Sequence, residues 1–155
     1  MKIISKNTFK FIEAKLHNYK QIQAEIAEWK QEVTASGGGQ KEHIPNAGYI
    51  SDPTANKVMR LENPPQHIRE AMGWVEVIDK TVLFAKRQKS YNIYVIWYEK
   101  GHSQSPYNRR MTVTYAYTRL GMPERTFKAK RWNIVNYAGV KALEKGLIKK
   151  LYENF

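Results

Sequence analysis

The chain is expected to fold as an all-α protein, with a long N-terminal helix, a helical core and a C-terminal helix-turn-helix. Three observations predict this class. Apolar residues recur at steps of three and four over residues 8–33 and again over residues 66–89, the period of an α-helix with one buried face. A shorter stripe over residues 112–120 meets a Gly-Met-Pro turn and then a second, longer stripe, which is how two helices are joined tightly. The one β-rich run, Tyr91 to Tyr98, stands between helical segments with no second strand to pair, and a lone strand is not stable. Two parts are expected: residues 1–50, a long helix and its linker, and residues 51–155, a helical domain whose helix-turn-helix spans 112–143.

Taken in order, Phe9, Ile12, Leu16, Tyr19, Ile22, Ile26, Trp29 and Val33 lie on one stripe. They predict a single helix over 8–33, about 39 Å long, capped by Asn7 or Thr8. The spacing is close to a heptad. It suits either packing along the protein's own domain or a coiled-coil seam that forms a homodimer. Residues 34–50 form a linker around Gly37, Gly38 and Gly39. No Gly-Lys-Ser/Thr follows, so they are not a phosphate loop. Asp52 and Pro53 fit the N-cap and first position of a further helix, with Val58 and Leu61 as its apolar side. Pro64 and Pro65 stop it. A core helix should then run over 66–89 with Ile68, Met72, Val75, Ile78, Val82 and Ala85 inward. Tyr91–Tyr98 is read as helix, and 101–110 as a polar loop ending in Arg109 and Arg110.

Over residues 112–143, Thr112 can cap a first helix whose stripe is Val113, Ala116, Tyr117 and Leu120, and Gly121 can end it. Pro123 opens the second helix. With Phe127 taken as inward, Ile134 and Ala138 fall within about 20° of it. Arg125, Ala129, Trp132 and Asn136 point away, flanked by Lys128 and Asn133. Lys130 and Arg131 fall nearer the core side and are expected to snorkel toward the backbone. Charge adds a functional meaning. The sequence carries a net charge of +12, and residues 86–155 hold 15 Lys and Arg against 4 acids, whereas residues 1–85 hold 11 against 10. A positive field concentrated in the half that holds the hairpin attracts phosphate by counterion release.

The hairpin also resembles the helix-turn-helix of the fourth region of bacterial sigma factors, whose pattern is T-hydrophobic-x-x-I-A-x-x-L-G-I-S-x-x-T. Thr112, Val113, Leu120, Gly121, Met122 and Thr126 stand in register with it, while Ala116, Tyr117 and Pro123 depart. The order of long helix, linker, SDPTA helix start (Ser51–Ala55), core helix, aromatic segment and hairpin is similar to the RinA and ArpU group of phage-encoded transcriptional regulators. That resemblance implies a helical activator of late phage operons, such as packaging and structural genes, in a Gram-positive host or a prophage remnant. Mapping the sigma pattern onto this sequence implies Glu124, Arg125, Lys128 and Ala129 as outward, base-facing positions.

The residues exclude other classes. There is no cysteine and no apolar run near 18 residues, which points to a cytoplasmic chain with no membrane span and no signal peptide. His17, His43, His67 and His102 lack metal-ligand spacing, and Asp52 and Asp79 are far apart in sequence. No enzyme, no cofactor and no metal is therefore expected. The expected function is sequence-specific double-stranded DNA binding, with Thr112, Glu124, Arg125, Lys128, Ala129, Asn133, Arg109 and Arg110 at the interface. Arg125 is placed for guanine and Asn133 for adenine or phosphate. Host RNA polymerase is a further expected partner. Two alternatives stay open at this point. One is a coiled-coil module that binds RNA polymerase. The other is an RNA-binding antiterminator that stacks bases on Tyr91, Tyr94, Trp97 and Tyr98.

Overall fold

Spacing at three and four demands helix, and helix is what the chain forms. The computed structural model describes residues 2–35, 53–100 and 112–153. In order these form β1 (Ile3–Ile4), α1 (Lys6–His17), α2 (Tyr19–Ala35), α3 (Pro53–Glu62), α4 (Gln66–Arg87), α5 (Tyr91–Tyr94) continuing as a π-helical turn over Val95–Glu99, α6 (Val113–Arg119), α7 (Glu124–Glu144) and β2 (Tyr152–Glu153). The all-α class is thus observed. The chain divides into two compact units, Met1–Tyr19 with Gly73–Phe155, and Lys20–Met72.

The expected helix over 8–33 is in fact two. Ser5, not Asn7 or Thr8, caps α1: its extended backbone leaves the side-chain oxygen to accept the Thr8 N–H at 3.1 Å. The helix closes at Asn18, whose N–H is shared between the carbonyls of Ala14 (3.1 Å) and Lys15 (3.2 Å). That i→i−3 bond tightens the last turn and interrupts the regular register. Ile12 and Leu16 are fully buried within the chain, so along α1 the stripe is an internal packing face.

In the smaller unit, α2 buries Ile22 and Val33, and the start of α4 buries Ile68 and Ala71. α3 begins at Pro53 as expected. Of its expected apolar side, Leu61 is half-buried and Val58 is 47% exposed. Asp52 and the glycine linker over 36–50 lie outside the described residues.

α4 ends at Arg87, with its inward face turned from the expected one. Ile68, Ile78 and Ala85 are buried as foreseen, but the positions between them are Ala71, Trp74, Val77 and Thr81, not Met72, Val75 and Val82. Trp74 offers far more apolar area than Val75, and an aromatic of that size wins the core position. It meets Phe11 edge-on, with ring centroids 5.8 Å apart. Thr81 tolerates burial because its hydroxyl donates to the Val77 carbonyl at 2.7 Å. Past the helix end, Lys89 takes a positive φ of 56°, where Ser90 N–H reaches the Ala85 carbonyl at 2.8 Å. This is a Schellman closure with lysine where glycine is usual.

The Tyr91–Tyr98 run is helical, as read from the sequence, but it widens. Lys100 N–H reaches back five residues to the Val95 carbonyl at 2.8 Å. A π turn holds one residue more than an α turn and turns up at functional sites. Here it lets Ile96, Trp97 and Tyr98, three residues in succession, all point inward.

The second half of α7 is enclosed. Phe84 of α4 stacks on Tyr137 at 4.2 Å, and the chain beyond α7 folds back over it. Gly146, at φ 73°, reverses the chain, with Leu147 N–H bonded to the Ala142 carbonyl at 2.9 Å. Leu151 is then buried, and β2 pairs antiparallel with β1, Ile3 opposite Glu153 and Ile4 opposite Tyr152. This two-residue clip was not foreseen.

Gly139 marks the closest approach. A Cβ there would run into Leu151 Cδ1 and stand 3.0 Å from Ile12 Cδ1. Gly139→Ala is therefore expected to lower stability by about 1–3 kcal/mol through overpacking, even against the better helix propensity of alanine. Urea denaturation of the two proteins checks this, and an unchanged or higher midpoint would count against the tight contact.

Candidate nucleic-acid interface

The helix-turn-helix is built by three local devices. Thr112, in extended conformation, caps α6 by accepting the Tyr115 N–H at 3.1 Å. Gly121, at φ 64°, closes α6: Met122 N–H bonds the Tyr117 carbonyl and Gly121 N–H the Thr118 carbonyl, both at 3.1 Å. That pair of bonds is a Schellman motif, and its left-handed position is cheap only for glycine. Pro123, extended at φ −63° and ψ 148°, then starts α7 without a side-chain cap. Glu124, in the first turn, supplies the negative charge that suits a helix N-terminus. α6 contributes Ala116 to the core, fully buried, while Phe127, Ile134 and Ala138 of α7 are buried as the periodicity requires.

The outward residues gather on the first half of α7. Glu124, Arg125, Lys128, Ala129 and Asn133 are all exposed, and Trp132 beside them is 39% exposed. From Lys128 round to Asn133 this face spans an arc of roughly 140°. Lys128 is held by Glu124 at 2.7 Å across one turn. Arg125 has no hydrogen bond or ion pair among the described residues, and its guanidinium is available. Thr112 is exposed too, but its oxygen is occupied by the cap. Arg109 and Arg110 lie outside the described residues. One expected outward residue is not on this face: Asn136 accepts a hydrogen bond from the Tyr152 hydroxyl at 2.5 Å. The returning tail covers it, so the open face stops at Asn133.

Arg131 is the larger correction. It does not snorkel. Its guanidinium enters the core and binds Glu13 of α1 through two atoms, Nε to Oε2 at 2.9 Å and Nη2 to Oε1 at 2.5 Å. Glu13 Oε2 also accepts Trp97 Nε1–H at 3.1 Å and the Tyr98 hydroxyl at 2.7 Å. The guanidinium lies over the Trp97 ring at 4.5 Å and the Phe9 ring at 5.4 Å. Only 9% of the Glu13 side chain and 19% of the Arg131 side chain remain exposed. Sequence reasoning missed this cluster, although a signal existed. Arg131 falls about 40° from Phe127, inside the apolar arc, and a cation there needs a buried acid. Glu13, next to Ile12 and one turn before Leu16, is the acid placed beside the apolar stripe of α1.

The electrostatics follow from this geometry. Burial, reinforced by the negative charge of Glu13, holds the Tyr98 hydroxyl well above the usual tyrosine value. Burial works against the charge of Arg131, but its bonds to Glu13 outweigh that and raise it. Tyr19, partly buried and donating to Asp79 at 2.5 Å, is pushed up to about 12.

Among the described residues no group of three or more His, Asp or Glu could hold a metal ion, and no helix is long and apolar enough to cross a membrane. No protein-family model, curated protein or solved structure matches the chain.

Glu13→Gln leaves a buried guanidinium uncompensated and is expected to cost about 3–5 kcal/mol at pH 7. Chemical denaturation measures it, and a loss below about 1 kcal/mol would mean that the pair is solvated. A second expectation concerns alkaline pH. Since the folded value of Tyr98 is raised, its contribution is complete below pH ~10, the unfolded tyrosine value, and is lost as pH climbs from there toward the folded value. Thermal scans between pH 8 and 12 should show wild type losing stability above pH ~10 more steeply than Tyr98→Phe. Parallel curves for the two proteins would contradict this.

Proposed function

We propose that this chain is a sequence-specific double-stranded DNA-binding activator of transcription, of the phage or prophage late-gene type that the RinA and ArpU resemblance suggests. It works by binding and not by catalysis, in the cytoplasm of a bacterial host, and contacts host RNA polymerase. The observation that carries the proposal is the open face on the first half of α7. There Arg125, Lys128, Ala129 and Asn133 stand exposed immediately after a glycine-closed turn, within the half of the chain that holds nearly all the positive charge.

In this reading the first turns of α7 enter the major groove. Arg125 donates a two-pronged bond to guanine O6 and N7, and Asn133 meets adenine or a phosphate. Ala129 has a methyl group and no more, which permits close approach to a base edge. Lys128 exchanges Glu124 for a phosphate. Burial of the aromatics supports the duplex over single-stranded RNA: Tyr94 and Tyr98 are 2% exposed and Trp97 is 9% exposed, so three of the four rings that stacking would need are occupied in the core.

The test is selection from a randomised duplex pool, followed by affinities for the selected site, a scrambled duplex and single-stranded RNA at two salt concentrations, since affinity at one salt is not interpretable. Preference for the selected duplex that persists at the higher salt is the expected result. Weak, equal binding that disappears with salt would reduce the basic half to an electrostatic surface. On the selected site, Arg125→Ala should cost about 1–3 kcal/mol and relax the choice at one base pair, while Lys128→Ala should weaken all duplexes alike and lower the salt slope by about 1. An Arg125→Ala loss that is equal on every sequence would show a phosphate contact only.

A further inference from the structure

We infer that the Glu13–Arg131 pair is a positioning device for DNA reading: it fixes the rotation of α7 about its own axis, and with it the base pairs that Arg125 and Ala129 meet. The inference rests on the duplex reading above and adds to it residues that touch no DNA.

Arg131 occupies the middle of the buried arc of α7, roughly 120° from Arg125 and 160° from Ala129. Whatever holds Arg131 inward therefore holds those two outward. Packing of the far half of α7 limits its movement, but hydrophobic contact is not itself directional, and the first half has an open face on one side. A two-pronged guanidinium–carboxylate contact is directional in both distance and plane. A roll of roughly 30° carries a group roughly 6 Å from the helix axis through about 3 Å. That breaks both bonds to Glu13, and it moves the Arg125 guanidinium by a comparable distance from its base. The two geometries are thus locked together by one rigid helix.

The surroundings are built to resist that roll. Glu13 is itself held by Trp97 and Tyr98, so its carboxylate cannot follow Arg131. Trp97 also meets Phe127, one turn before Arg131, edge-on at 5.7 Å. Phe127 and Arg131 therefore both lean on the same indole. A buried ion pair is weak evidence of stability, and its best-attested use is to select one arrangement over its neighbours.

Arg131→Lys is the informative substitution in the full-length chain. It keeps the net charge, and so the non-specific attraction to phosphate, but loses the fork and the stacking on Trp97. Affinities for the selected and the scrambled duplex are compared at one salt, well below the melting temperature of each protein. We expect unchanged affinity for the scrambled duplex and a fall of about tenfold in preference for the selected site, the value of one base contact. A purely structural role would lower the melting temperature and leave that preference where it was, and this result overturns the inference. Should Arg131→Lys fail to fold, Tyr98→Phe, which removes a single bond to Glu13, takes its place. A smaller fall in preference is then expected, and an undiminished preference is again contrary. Absence of any preference in wild type is a different failure: it overturns the duplex reading, and the positioning role with it, before any variant is compared.

Discussion

A single carboxylate organises the larger unit. Glu13 receives four hydrogen bonds, one from Trp97, one from Tyr98 and two from Arg131, so it ties α1 to the π turn and to α7 at one point. Each of these donors is itself buried or half-buried, and each would carry an unmet polar group if the carboxylate were absent. Taking two charges out of water costs several kcal/mol per ion, which the attraction between them only offsets when the geometry is good and the remaining lone pairs are filled. Both conditions hold here. The consequence is asymmetric: the intact cluster adds little net stability, whereas its loss in part leaves a charge stranded in the core. The arrangement of the three segments is therefore held to one solution, and the π turn has a physical purpose within it. An α-helical turn would place Trp97 and Tyr98 100° apart around the axis. The wider turn narrows that angle, and both polar tips reach the same oxygen.

Around this point α7 has two characters. Its first half is one-sided, with Phe127, Arg131 and Ile134 inward and Arg125, Ala129 and Asn133 outward. Its second half is covered on several sides, with Val135, Ala138, Gly139 and Ala142 all buried. The small residues permit that enclosure, because Gly139 lets Leu151 and Ile12 come to the helix backbone. An element enclosed at one end and open at the other is anchored like a beam. Burial of the far end supplies the rigidity, and the near end supplies the exposed side chains, while on the anchored part Leu143 and Glu144 remain exposed.

This division explains which features could be read along the chain. The helix-turn-helix was legible because its signals are local. Thr112 caps its own helix, Gly121 takes the one conformation that suits it, and Phe127, Ile134 and Ala138 repeat at the helical period. The outward positions Arg125, Lys128, Ala129 and Asn133 followed from the same arithmetic. The larger misses involve partners far along the chain. Arg131 and Glu13 are 118 residues apart, so no window contains both. Asn136 has a solvent-facing phase on the helix, but a tail 16 residues later covers it. On α4 two stripes of equal periodicity compete, and the choice between Trp74 and Val75 is made by the Phe11 ring of α1. The Ser5 cap and the break at Asn18 are local events, and the apolar pattern, running straight through Asn18, carries no mark of the break.

Under the proposed function, the same distinction separates attraction to DNA from the reading of it. Of the cations in residues 86–155, several are engaged within the protein: Arg131 with Glu13, Lys145 with Glu76, Lys141 with Glu144, and Lys128 with Glu124. Pairing leaves the net charge unaltered, so the long-range field that steers a polyanion toward this half persists whichever lysine is paired. Base recognition has no such tolerance. It needs a donor or acceptor that is exposed and unoccupied, on a helix held at a fixed angle, and Arg125 is exposed with no hydrogen bond or ion pair among the described residues. If the chain binds duplex DNA as proposed, neutralising a distant lysine alters how strongly it is drawn to any duplex. Under the same proposal, only a change at the open face, or at the buried pair proposed to aim it, alters which duplex is preferred.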